Sequence, residues 1–210
     1  MEKEFWLQRW QEQQIGFHEG RFNNSLLEHW PTLNARAGDT VFVPLCGKSL
    51  DMVFLAEQGL QVIGVELSQI AVEEFFQEQG LEPHVEQAGA LQKYQAANYT
   101  LYCGDLFALN TEQLSTCRWI YDRASMIALP LDMRRQYCEF LANSLPRPSQ
   151  SLLITLEYDQ SLKSGPPFSI SPAMLDELIS GSAEIEPLGQ IPEEVKGIVA
   201  LEHSFLLRFK

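Results

Sequence analysis

Cysteine is sparse and unpatterned in this chain. Cys46, Cys103, Cys117 and Cys138 are scattered through 210 residues without a Cys-x-x-Cys pair, three of them in or beside apolar runs. That usage fits reduced, buried thiols rather than disulfides or a zinc site. The four histidines form no ligand-spaced cluster, so no metal is expected. Positive charge is also short: 15 Lys and Arg stand against 28 Asp and Glu, a formal charge of −13, with no basic block. The electrostatic footprint of nucleic-acid binding is therefore missing, and a small-molecule substrate is the expected partner. No run approaches the ~20 apolar residues of a membrane span. The start, Met-Glu-Lys-Glu followed by aromatics, is not the basic and then apolar pattern of a signal peptide. A cytoplasmic monomer follows as the expectation. With 45% hydrophobic and 20% charged residues, the chain can bury the core of one domain.

Glycine, too, is scarce where a dinucleotide site would need it. Residues 40–48 read Thr-Val-Phe-Val-Pro-Leu-Cys-Gly-Lys: a buried strand over Val41 to Val43 stopped by Pro44, then a tight path at Gly47 into a helix from about Ser49. Gly47-Lys48-Ser49 has the ending of a P-loop, but the glycine five residues earlier is replaced by Phe42, so no phosphate cradle is expected. A second strand, Gln61 to Val65, ends at Glu66, 19 positions beyond Gly47. An acidic residue there either grips two ribose hydroxyls or merely fronts a helix. A ribosylated ligand without phosphates fits the first alternative, and S-adenosylmethionine is the common one.

The remaining chain fits a doubly wound α/β sheet. Trp6 and Trp10 lie four apart in an N-terminal helix over 2–14, as dock or as lid, and a second short helix runs from about Ser25 to Trp30. A helix from Ser49 closes at Gly59, and another carrying Leu67, Ala71 and Phe75 closes at Gly80. Residues 82–98 are amide-rich and irregular, a loop with a little helix or hairpin. Strands follow at Tyr99 to Cys103, Cys117 to Asp122 and Leu152 to Tyr158, with a helix over Asp132 to Leu145 between the last two. Asp105 after the third strand caps a helix or accepts from an adenine amino group. Arg123 after the fourth makes a surface salt bridge or orients an anionic substrate. Because ligands of open α/β sheets sit beyond the carboxyl ends of the strands, Glu66, Asp105 and Arg123 are expected to converge. Residues 159–172 form a loop of lid length, followed by a helix from Ala173 to Ile179. Ile185 to Leu188 is a further strand. Residues 199–209 alternate like a half-buried strand, with His203 on the apolar face as a core histidine.

Several segments together carry a family likeness. Phe5-Trp6-Leu7-Gln8-Arg9-Trp10, Gly16-Phe17-His18, Val43-Pro44-Leu45-Cys46-Gly47-Lys48-Ser49-Leu50-Asp51-Met52, Gly64-Val65-Glu66-Leu67-Ser68, Tyr121-Asp122-Arg123-Ala124 and Gly165-Pro166-Pro167-Phe168 resemble the bacterial thiopurine S-methyltransferases. These are class I, Rossmann-like, S-adenosylmethionine-dependent enzymes. The resemblance is strong over residues 5–168 and rests on strand pattern beyond. It implies a seven-stranded, mostly parallel sheet with an antiparallel last strand, in one domain over 1–210 whose residues 1–35 cover the cofactor. It implies that Trp10, Leu45, Gly47, Glu66, Asp105, Leu106 and Arg123 contact S-adenosyl-L-methionine. Phe17, His18 and Phe168 would line the side of a small thiol substrate, where Arg123 would stabilise an anionic nucleophile with no general base assigned. Selenium or tellurium species, another nucleophile, or binding without turnover are the alternatives.

Overall fold

The computed structural model describes residues 3–123, 125–195 and 197–210. Glu2, in the first helix expected from sequence, and Ala124, in the Tyr121–Ala124 segment, lie outside them. Two helices precede the sheet, α1 (Lys3–Gln11) and α2 (Asn24–His29). The second starts where the Asn23 side chain accepts the Leu26 N–H, satisfying one of the free donors of a helix start. β1 (Thr40–Pro44), α3 (Asp51–Glu57), β2 (Gln61–Glu66) and α4 (Gln69–Glu78) then form two βα units. Their strands read as nearly continuous apolar runs because both faces are covered.

A hairpin, β3 (His84–Ala88) and β4 (Leu91–Ala96), leads into β5 (Tyr99–Cys103) and then β6 (Cys117–Asp122). Helices α5 (Ser125–Ala128) and α6 (Leu131–Ser144) follow, then β7 (Ser149–Glu157), α7 (Pro172–Ile179), β8 (Ala183–Val195) and β9 (Ile198–Phe209). One mixed sheet results, in the order β3-β4-β5-β2-β1-β6-β7-β9-β8. The five strands from β5 to β7 are parallel, and β9 is antiparallel to both its neighbours. The chain winds outward from β1 through β2 to β5 and then returns to β6. The crevice between the carboxyl ends of β1 and β6 is therefore the topological switch point.

Among the described residues nine strands stand where seven were expected. The extra pair is the hairpin in the segment read as irregular, where β3 is exposed at four of its five positions and so shows no apolar pattern. β8 runs well past Leu188. It tolerates Pro187 and Pro192 because it is an edge strand, and its register shifts between Pro187 and Gly189. β9 is not half-buried either. Glu202 to Leu207 are all buried, since Phe205 and Leu207 enter one core and Leu206 packs in the other with Leu26, Trp30 and Leu33, whereas Val199 is 85% exposed. His203 is the core histidine expected, bonded to Glu157 at 2.8 Å. Among the described residues no helix is long and apolar enough to cross a membrane.

Buried Asp122 joins the end of β6 to the next two helices. Its Oδ1 accepts the Ser125 N–H at 3.1 Å and its Oδ2 accepts the Tyr137 hydroxyl at 2.6 Å. Burial outweighs those donors and pushes its pKa up to about 6, from an ordinary 3.8. The folded protein then binds this proton more tightly than the unfolded chain, and the stabilisation from it is lost as pH rises through 6. Urea unfolding at pH 5 and pH 7 should show wild type losing about 1 kcal/mol relative to Asp122→Asn over that interval. An unchanged difference would mean that Asp122 is ionised throughout.

Candidate active site

The site begins at the turn after β1. Cys46 N–H bonds the Val65 carbonyl at 3.0 Å, stitching the turn to β2, while Leu45 and Gly47 take positive φ values of 45° and 52°. Such a conformation is costly for leucine and ordinary for glycine. It aims the Gly47 N–H at Glu66 Oε2, 2.9 Å away, and the Ser68 N–H donates to Glu66 Oε1 at 2.8 Å. Glu66 is 7% exposed; burial raises its pKa and the backbone donors oppose the rise. A carboxylate offers about four lone-pair positions, so two backbone bonds leave capacity for two hydroxyls. Gly47 has a second reason to lack a side chain: a Cβ there would stand 3.3 Å from the Trp10 ring.

Other strand ends bring the remaining groups. Asp105, past β5, caps a 3-10 turn through the Phe107 N–H at 3.1 Å and pairs with Lys3 of α1 at 2.7 Å. A cavity of about 380 Å³ is lined by Trp10, Leu45, Gly47, Glu66, Asp105 and Leu106, and also by Phe17, His18 and Arg123. Phe17 stands edge-on to both Trp6 and Trp10, with centroids 5.5 and 5.7 Å apart. Phe168 is not brought to this wall. Its ring lies under the Arg134 guanidinium at 5.3 Å and its N–H donates to the Ile127 carbonyl, while Pro166 and Pro167 face the cavity.

Charge in the cavity is arranged in pairs. Burial works against the Lys48 ammonium, but hydrogen bonds to Glu74 and Glu78, at 2.8 and 2.7 Å, hold its pKa above the ordinary value. Burial and then the nearby Lys48 charge lower the pKa of His18, which is neutral at pH 7. Arg123 donates to Glu19 Oε1 at 2.8 Å, and its Nε lies 3.3 Å from Asp51 Oδ2. Asp51, 1% exposed, also receives the Tyr121 hydroxyl and the Asn23 N–H, both at 2.8 Å. Glu202 reaches the same cavity from β9, with Ser25 donating to it at 2.6 Å and Asn23 at 3.4 Å. Glu19, Asp51 and Glu202 were not expected from sequence. Asp51 lies inside a segment that carries the family likeness, but Glu202 reads there as one polar position of an alternating strand.

A family model described as Thiopurine S-methyltransferase (TPMT) matches residues 1–198. The chain belongs to that family. A thiopurine S-methyltransferase of Pseudomonas putida strain F1 is 46% identical over 210 residues, covering 99% of this chain and 97% of its own. One from Pseudomonas fluorescens strain SBW25 is 54% identical over 172 residues, 81% of this chain and 78% of its own. Among solved structures, magnesium protoporphyrin IX methyltransferase from Synechocystis with bound S-adenosylhomocysteine superposes with a TM-score of 0.71. It is 14% identical and the match covers 100% of both chains. A Burkholderia thailandensis 1,6-didemethyltoxoflavin-N1-methyltransferase gives 0.69 at 12% identity, over 99% of this chain and 87% of that one. This member of the thiopurine S-methyltransferase family thus has the class I S-adenosylmethionine-dependent methyltransferase fold, with nine strands in its sheet among the described residues.

Arg123 is the sole cation bonded to the buried Asp51 among the described residues. Arg123→Met should cost about 2–3 kcal/mol in urea unfolding, because it strands a buried carboxylate. Glu19→Gln, at the wetter of the two carboxylates on Arg123, should cost under about 1 kcal/mol. Equal losses would mean that Asp51 does not depend on Arg123.

Proposed function

We propose that this protein is an S-adenosylmethionine-dependent S-methyltransferase acting on small aromatic or heterocyclic thiols. The observation that carries the reading is the buried Glu66 carboxylate at the carboxyl end of β2, held in the cavity wall by the Gly47 and Ser68 N–H groups. Family membership and relatives named for thiopurine S-methylation support the acceptor class.

The residues present fit the cofactor. Glu66 has lone pairs to spare for two ribose hydroxyls, and Leu45 and Gly47 form a turn whose backbone approaches the cavity without a phosphate cradle. Trp10 supplies an aromatic surface, and Asp105 with Leu106 would border the adenine. When bound, S-adenosylmethionine supplies a methyl group already activated by a sulfonium charge. The chain's own task is then to hold two reactants in line and to exclude water, effects that supply on the order of 7–11 kcal/mol for a well-aligned pair. The described part of the N-terminal extension, residues 3–35, does the covering: α1 is tied at Asp105 through Lys3, and beyond it Gln13 bonds Glu74 at 3.1 Å. Phe17 and His18 line the acceptor side. Arg123, with Glu19 and Asp51 already on its guanidinium, acts by position rather than as a free cation.

Calorimetry with S-adenosylhomocysteine tests the cofactor assignment. Wild type should bind in the micromolar range and Glu66→Ala at least about tenfold more weakly, since hydrogen bonds to a charged group are worth about 1.5–3 kcal/mol. Absence of wild-type binding would overturn the reading. Mass spectrometry of the products from aromatic thiols, selenols and phenols then tests the acceptor class, with S-methyl products expected to dominate; dominant O-methylation would refute it.

A further inference from the structure

The inference rests on the methyl-transfer reading just given. Carboxylates outnumber cations at the acceptor side of the cavity. Arg123 is engaged by Glu19 and Asp51, Lys48 by Glu74 and Glu78, and Lys3 by Asp105, while Arg9, also on the cavity wall, lies over the Phe5 ring of its own helix. Glu202 has no salt-bridge partner among the described residues. It is 6% exposed, and its place on the wall is fixed by strand register, opposite Leu156 on β7 and Ile191 on β8. Leu156 lines the cavity as well. Facing the carboxylate are Asn23 and Ser25 at the start of α2, Arg123 beyond β6 and Glu19 from the loop after α1. One donor sits on each oxygen, so each retains a lone pair.

We propose that the methyl acceptor enters this site as an uncharged thiol and that Glu202 takes its proton as the methyl group transfers. The acceptor sulfur forms its bond to the methyl carbon with its own lone pair. The carbon's bond to the donor sulfur breaks and leaves its electron pair on that sulfur. The S–H proton passes to a Glu202 oxygen and from there to water, so that the acceptor departs as a neutral thioether. Burial raises the Glu202 pKa, opposed by the Ser25 and Asn23 donors and by Arg123, which brings it closer to that of a thiol than an exposed glutamate would be. Arg123 is then a positioning residue: it fixes Glu19 and Asp51 and tempers the negative field.

The test is a spectroscopic titration of an aromatic thiol whose neutral and ionised forms absorb differently, bound to the wild-type protein with S-adenosylhomocysteine in place. The thiol pKa should rise on binding by about one unit or more. In Glu202→Gln it should fall back toward the free value, with S-adenosylhomocysteine binding retained. Turnover of a high-pKa thiol should fall at least about tenfold in the variant, and that of a thiol already ionised at pH 7 about threefold or less. A thiol pKa lowered by wild type, with S-adenosylhomocysteine binding and turnover intact, would overturn this proposal and leave the enzyme assignment standing. Failure of wild type to bind S-adenosylhomocysteine would bring down both.

Discussion

One buried carboxylate governs how the site opens. Glu66 closes β2, and each of its two oxygens accepts one backbone N–H, from Gly47 in the turn after β1 and from Ser68 at the start of α4. The two turns cannot move apart without leaving a buried acid short of donors, which costs several kcal/mol more than the bonds themselves contribute. Trp10 then packs where Gly47 has no side chain, so the N-terminal helix is docked on the same clasp. Position, backbone conformation and lid all follow from that one acid.

A second network does the same for the other half of the cavity. Asp51 at the head of α3 collects the Tyr121 hydroxyl from β6, the Asn23 N–H from before α2 and the Arg123 guanidinium. Asn23 passes the connection on to Glu202 in β9, and Arg123 passes it to Glu19. Segments separated by up to 179 positions in sequence therefore share one polar cluster. Such buried networks are rigid when fully satisfied and costly when one member is lost.

How much of this could be read from residues alone depended on range. The β1 turn, Glu66 and the two βα units are local patterns, in which strand, turn residue and acid follow one another within thirty positions, and they were legible. The hairpin over 84–96 was legible only as one alternative for an irregular segment, because its outer strand faces solvent and carries no apolar period. Glu202 was also hidden. Whether a polar residue in an alternating strand meets water or a buried cavity is decided by what lies on that face, here α2 and the Arg123 cluster. Phe168 shows the converse: a segment characteristic of the family was legible, but the path of the loop turns this ring to Arg134 and presents Pro166 and Pro167 instead.

The surplus of acid bears on charge flow during transfer. A thiolate held about 5 Å from the Glu202 carboxylate, at an effective dielectric near 20, would be disfavoured by up to about 3 kcal/mol before the opposing Arg123 charge is counted. A neutral thiol meets no such penalty, and as its sulfur takes the methyl group it gains positive charge, which the same carboxylate favours until the proton passes to it. An interaction that strengthens as charge moves from the donor sulfur to the acceptor sulfur is the kind that raises kcat rather than merely tightening binding. An acidic wall is thus a poor receptor for an anionic acceptor and a good one for a neutral acceptor. The placement of Glu202 beside an already compensated Arg123 is what decides between them.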